Sequence, residues 1–140
     1  MVRIPESEFE KWYNLGVTYF DSGKYEKAIE CFTKAIDLEP NDAFAWKGKG
    51  MALSYSGKYE EAVKCFDEST KLDPDDMDVW YRKGWALHYL GKYEESIKCY
   101  DEVIDLEPNY TGAWTCKGIM LDYLGKYEES IKCYDEAIEL

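Results

Sequence analysis

Histidine is almost missing from this chain: His88 stands alone among 140 residues. A Ser-His-Asp or Cys-His arrangement would have to use that one ring. Glycine-rich phosphate loops are missing too, since no Gly-Lys-Ser/Thr sequence occurs. Acids do come in pairs, but as neighbours on helical segments they point different ways. Glycosidase-type work needs two acids facing each other across a cleft. No enzyme constellation emerges, and no cofactor is implied. Long apolar runs and an N-terminal signal-peptide pattern are both lacking, so membrane insertion is not expected. Positive charge is scarce: 17 Lys and Arg stand against 29 Asp and Glu, a formal net charge of −12. Nucleic acid is held by neutralising phosphates with cations, so this balance argues against a nucleic-acid partner. The acids are spread along the whole chain and read as a solvated surface.

Five cysteines are present. Cys31, Cys65, Cys99 and Cys133 occupy one recurring position, and Cys116 stands apart. Equivalent helices of adjacent repeats pack about 8–10 Å apart, too far for a disulfide, whose Cα atoms lie within about 7 Å. The spacing also lacks the close pairs of a zinc site, so no metal is expected. Free thiols fit a reducing compartment, and a cytoplasmic location is expected.

What the chain has in abundance is a frame that returns every 34 residues. Trp12, Gly16, Gly23, Tyr25, Ala28, Phe32 and Pro40 set it. Trp46, Gly50, Gly57, Tyr59, Ala62, Phe66 and Pro74 repeat it. Trp80, Gly84, Gly91, Tyr93, Tyr100 and Pro108 follow, then Trp114, Gly118, Gly125, Tyr127 and Tyr134. The last two copies are nearly identical: Tyr89 to Leu106 and Tyr123 to Leu140 differ only at Val103/Ala137 and Asp105/Glu139. Helical spacing is evident within each copy, as in Trp12, Leu15, Gly16 and Tyr19. Ser7 with Glu10 reads as a capping box, Gly23 as a helix stop, Pro40 as a second stop, and Asn41 or Asp42 as the next cap. These signals predict helices over 8–22, 25–38, 42–56, 59–72, 76–90, 93–106, 110–124 and 127–139. Short loops make consecutive helices antiparallel neighbours. Gly16 and Ala28 are expected to let them approach closely.

The frame resembles the tetratricopeptide repeat family, and the resemblance runs from Phe9 to Leu140. It implies an all-α fold: a right-handed superhelical solenoid of four antiparallel helix-turn-helix units, eight helices in all. The expected division is a lead-in over 1–8 and units over 9–42, 43–76, 77–110 and 111–140, one contiguous domain whose last unit lacks a capping helix. Trp114, Leu121, Ile131 and Ile138 are then expected to form an exposed apolar end. The position of Leu15 becomes Lys49, Lys83 and Lys117, while Thr33-Lys34 becomes Asp67-Glu68, Asp101-Glu102 and Asp135-Glu136. Each lysine is expected to find one of these acids.

In this family the first helix of each unit lines the inner surface. The resemblance therefore implies a peptide-binding groove formed by Tyr13, Val17, Phe20, Phe44, Lys47, Met51, Tyr55, Tyr81, Arg82, Trp85, His88, Tyr89, Ile119 and Tyr123. The family's carboxylate clamp is not carried over. Its positions read Tyr13, Val17, Gly48, Asp78 and Arg82 in one frame, and Lys47, Met51, Arg82, Gly112 and Cys116 in the other. Two readings of the groove aromatics stand side by side: they line a binding surface, or they pack between adjacent first helices. Trp85, between Met51 and Ile119 in the repeat order, is expected to be partly exposed, and the frame residue Trp80 buried. The expected function is a non-enzymatic scaffold that binds a protein or peptide with apolar and acidic residues. The alternative is an assembly module that stacks end to end, as a homo-oligomer or within a longer array.

Overall fold

A computed structural model describes residues 4–140. It has eight α-helices: α1 (Glu8–Asp21), α2 (Tyr25–Leu38), α3 (Ala43–Tyr55), α4 (Tyr59–Leu72), α5 (Met77–Tyr89), α6 (Tyr93–Leu106), α7 (Thr111–Tyr123) and α8 (Tyr127–Glu139). No strand occurs among the described residues. The expected helices are all present. Three starts shift by one residue because Asp42, Asp76 and Tyr110 are N-caps rather than helical positions. The Asp42 carboxylate accepts the Ala45 N–H at 2.9 Å, and Ser7 accepts that of Glu10 at 3.1 Å, satisfying donors the first turn leaves unpaired. Gly23 takes the left-handed conformation (φ 76°), as do the matching glycines of the other repeats, and turns the chain between the two helices of each hairpin.

The chain divides into two compact units, one ending at Leu72 and the other spanning Asp73–Leu140. Each contains two helical hairpins. In the first, α1 packs on α2, α3 on α4, and α3 also on α2. The second repeats this with α5 to α8.

The close approach within each hairpin has a specific cause. A Cβ on Gly16 would lie 2.9 Å from the Phe32 ring, and one on Gly50 only 2.6 Å from that of Phe66. Gly84 stands in the same relation to Tyr100 and Gly118 to Tyr134. The missing side chain on the first helix is the space taken by the ring of the second. Phe32, Phe66 and Tyr100 are consequently buried, along with Ala28, Ala62 and Ser96. The Ser96 hydroxyl donates to the Gly84 carbonyl at 2.7 Å, so a polar group at the small position costs little.

The tryptophan column differs from expectation. Trp80 is half-buried, and so are Trp12, Trp46 and Trp114. The indole N–H groups of Trp46, Trp80 and Trp114 donate to the carbonyls of Pro40, Pro74 and Pro108 at 2.8, 2.8 and 2.9 Å. That bond holds the ring over the turn instead of letting it sink into the core. Lys83 lies over the Trp80 ring at 5.4 Å, a cation–π contact.

The lysine column finds an acid at Lys117. Lys117 Nζ lies 2.6 Å from Asp101 Oδ1, in the preceding repeat. Lys49 has Thr33 in the corresponding place. All five cysteines are free and buried. Burial pushes the Cys65 thiol up to about 11, with Lys49 opposing, so it stays protonated and unreactive.

The apolar end is also partly corrected. Ile131 and Ile138 are 57% and 81% exposed, but Leu121 is buried, as are its equivalents Leu53 and Leu87. Trp114 is tied to its proline.

Candidate peptide-binding site

In the first unit the inner stripe of α1 presents Tyr13, Val17, Phe20 and Asp21, at i, i+4, i+7 and i+8. The facing stripe of α3 presents Phe44, Lys47, Gly48 and Met51. Phe32 of α2 reaches between them. Together these nine residues line a cavity of about 250 Å3. Phe32 is its floor, and Gly48 leaves the floor open, because a Cβ there would sit 2.7 Å from the ring. Phe44, 60% exposed, and Val17, 36% exposed, stand at its rim. Lys47 and Asp21 are its only charged lining residues.

The walls are fixed by ring contacts. Tyr13 meets Phe32 edge-on at 5.8 Å and stacks on Phe9 at 5.9 Å. Burial pushes its phenol pKa up, Asp42 adds to that, and Lys47 opposes it. The hydroxyl therefore stays neutral, able to donate and to accept. Phe20 inserts its ring edge-on against Tyr25 and Tyr55, at 5.5 and 5.2 Å, and those two stack on each other at 5.4 Å. Tyr55 thus supports Phe20 and does not itself line the cavity.

The second unit brings the remaining candidates together differently. Trp85 is 37% exposed, as expected, with Tyr81 at 6.4 Å, His88 at 5.8 Å and Tyr89 at 6.0 Å between ring centroids. His88 is wedged edge-to-face against Tyr93 and Tyr123, which stack at 4.9 Å. Burial lowers its pKa. Tyr89 and Tyr123 are exposed. Tyr81 and Ile119 follow the packing reading: Tyr81 contacts Tyr100 and Tyr110 at 5.9 and 5.3 Å, and both pack on the buried cluster of Tyr100, Cys116 and Met120. The Tyr81 hydroxyl lies 3.4 Å from Cys116 Sγ. Burial, followed by that thiol, pushes the Tyr81 phenol up to about 12, with Trp85 pulling it back. The Arg82 guanidinium is engaged by Asp78 of its own helix at 2.8 Å. Met51 belongs to the first unit, Trp85 and Ile119 to the second.

Sequence reasoning overlooked Phe32 as the cavity floor and Tyr25 and Tyr93 as halves of stacked pairs. Both belong to repeating columns, where recurrence announces a structural role and hides any other. The signal available was the aromatic at the clasp position: Phe20 and His88 can meet a ring, whereas Ser54 and Asp122 in the other repeats cannot do so as rings.

Helical hairpins repeated in tandem, with a lined cavity on their first helices, define a repeat scaffold of the kind that presents surfaces to other proteins. Residues 9–42, 43–76, 78–110 and 112–140 each match the tetratricopeptide repeat, so the chain belongs to that family. Solved structures of MamA share the fold. One crystal structure is 25% identical with a TM-score of 0.91, covering 94% of this chain and 77% of that one. A second has the same identity and TM-score, with coverages of 94% and 72%. No helix among the described residues is long and apolar enough to cross a membrane.

Proposed function

We propose that this chain is a non-enzymatic interaction module that binds a partner's peptide or helix on the α1/α3 face of its first unit. The observation that carries the reading is the cavity itself. Tyr13, Val17, Phe20, Phe32, Phe44 and Met51 give it an apolar lining, with one cation and one anion beside them. An exposed Phe44 and a lining of this composition are what a peptide anchor needs: a pocket for an apolar side chain and polar groups to orient its backbone or neighbours. Lys47 suits a partner with an acid next to the anchor. The long-range field of a chain carrying −12 opposes a strongly acidic one.

The test is selection of peptides from a random displayed library on the immobilised chain. Nitrogen–proton correlation spectra with the selected peptides then locate the contact. Shifts centred on Val17, Gly48 and Met51 support the reading. Peptides that perturb only other surfaces, or no enrichment at all, overturn it.

A second reading is favoured by one observation. Ile131 and Ile138 of α8 are exposed, while Ile36 at the matching place of α2 is buried against Ala35 and Ala45. A following repeat or another copy of the chain would cover them, giving an assembly role. Concentration-dependent growth in sedimentation velocity, suppressed by Ile138→Lys, supports that role.

A further inference from the structure

One tryptophan of the five is treated differently from the rest. Lys34 lies over the Trp12 ring at 4.1 Å, Lys83 over Trp80 at 5.4 Å and Lys117 over Trp114 at 6.0 Å. Trp46 is tied to Pro40. Trp85 meets Tyr81, His88 and Tyr89, all rings of its own helix. Among the described residues no lysine or arginine lies over it. The base one turn before it, Arg82, is engaged by Asp78. Trp85, Tyr89 and Tyr123 are exposed, and His88 links them, 5.1 Å from Tyr89 and 5.7 Å from Tyr123 between centroids. Burial lowers the His88 pKa, so at pH 7.5 it adds a ring and no charge. Charge separates the two units as well. Residues 73–140 hold 16 Asp and Glu against 7 Lys and Arg, a net −9, while residues 1–72 hold 13 against 10, a net −3. The exposed rings therefore sit on the unit that carries most of the negative charge.

We propose that the face of Trp85, Tyr89 and Tyr123 binds an arginine side chain of a partner peptide, as a surface separate from the first-unit cavity. Aromatic ring faces are negative and attract cations, and a strongly acidic unit raises the local concentration of cationic partners. The rings alone would accept a neutral apolar group; rings and charge together favour a cation and disfavour an acid. The chain already places its own lysines on Trp12, Trp80 and Trp114. Arginine suits an open ring face better than lysine does. Its planar guanidinium stacks on aromatic rings and is more weakly hydrated than an ammonium, and its five N–H groups suit acceptors such as the exposed phenol oxygens of Tyr89 and Tyr123. The first unit does not repeat the arrangement, since Val17 and Asp21 stand where the second has Trp85 and Tyr89.

The experiment titrates the whole chain with acetyl-Gly-Arg-Gly-Arg-Gly-amide and with the same peptide carrying lysine, citrulline or leucine in place of both arginines. Citrulline keeps the planar end group and lacks the charge. Nitrogen–proton correlation spectra give each indole N–H its own signal, and Trp85→Val identifies that of Trp85. The expected result is that the arginine peptide shifts the Trp85 indole and the Tyr89 and Tyr123 amides ahead of the other four indoles. The lysine peptide should bind more weakly, the citrulline peptide more weakly still, and the leucine peptide should leave these signals unmoved. Added salt should weaken the arginine peptide. Trp85→Val should abolish the Tyr89 and Tyr123 shifts at peptide concentrations that saturate the unaltered chain. Tyr89→Ser supplies a second variant and should weaken the same peptide, with thermal melts of both variants checking the fold. Equal shifts from the citrulline or leucine peptide overturn the cation, and equal binding of the lysine peptide overturns the choice of arginine. Shifts spread over the acidic surface with the Trp85 indole no more affected than the others, or confined to Val17, Gly48 and Met51, overturn the site. None of these outcomes bears on the first-unit cavity, which its own selected peptides test.

Discussion

The two halves of this chain use the same hairpins to opposite ends. Around α1 and α3 the rings are set apart, by Gly48 and a short Val17, and a cavity remains. Around α5 and α7 Tyr81 and Ile119 pack on the buried Tyr100, Cys116 and Met120, while Trp85, Tyr89 and Tyr123 stay exposed. The backbone frame dictates neither outcome. Helix spacing and hairpin closure come from the glycine–ring pairs and the small residues, which are common to both halves. The inner face is free to vary because little of the hairpin depends on it. That is why a repeat scaffold can change what it binds without changing how it folds.

The largest effect should come from breaking what the halves share. Phe32→Ala removes a buried ring held by Gly16 and Gly48, and should cost about 3–5 kcal/mol in urea unfolding. It should also erase the cavity floor. Tyr100→Phe, which gives the second half the first half's residue, should cost less than about 1.5 kcal/mol, because volume is conserved. A smaller loss is expected from Trp80→Ala. Its indole is half-buried and holds one hydrogen bond to Pro74, so about 2 kcal/mol is expected, by the same melts.

The contrast itself is sharpened by Trp85. Trp85→Val copies the first half into the second and should leave the fold intact. Any peptide that docks on the Trp85 face should then lose about 2 kcal/mol of binding, measured by calorimetry. Unfolding of the whole chain by Trp85→Val would show that the second half needs its indole for stability, and the comparison would fail.

The smallest effect concerns pH. His88 fills the place of Phe20 in the tyrosine clasp, and burial holds its pKa below the ordinary 6.5. The folded state then binds fewer protons than the unfolded state below that value. Stability from this site is therefore complete above the unfolded pKa and declines as pH falls from about 6.5 toward the folded value. His88→Phe should remove that decline from melting curves taken across this range, leaving only the carboxylate titrations at lower pH.

The fold was legible in the sequence because each architectural signal is local and stated four times over: a cap, a turn glycine, a small residue opposite a ring, a proline. Trp85 was legible as partly exposed because its helical stripe differs from that of Trp80. The half-burial of Trp80 was not, since periodicity assigns a face but not the reach of a long side chain, and the indole is held outward by a carbonyl six residues back. The split among the groove aromatics was also hidden. Whether Tyr81 lines a surface or packs depends on what opposes it, here Gly112 and Cys116 on the neighbouring helix, and spacing alone does not weigh that. A Cβ on Gly112 would lie 3.1 Å from the Tyr81 hydroxyl.

The indole-to-proline bond has a bearing on how the chain folds as well as on its folded form. It joins residues only six apart, as the cap and turn bonds join residues three or four apart. Such contacts close small loops and lose little chain entropy in doing so. Topologies dominated by them reach the native state quickly. Three of the five tryptophans sit in this hook, so a change in indole emission during refolding would time the closing of the joint between one hairpin and the next.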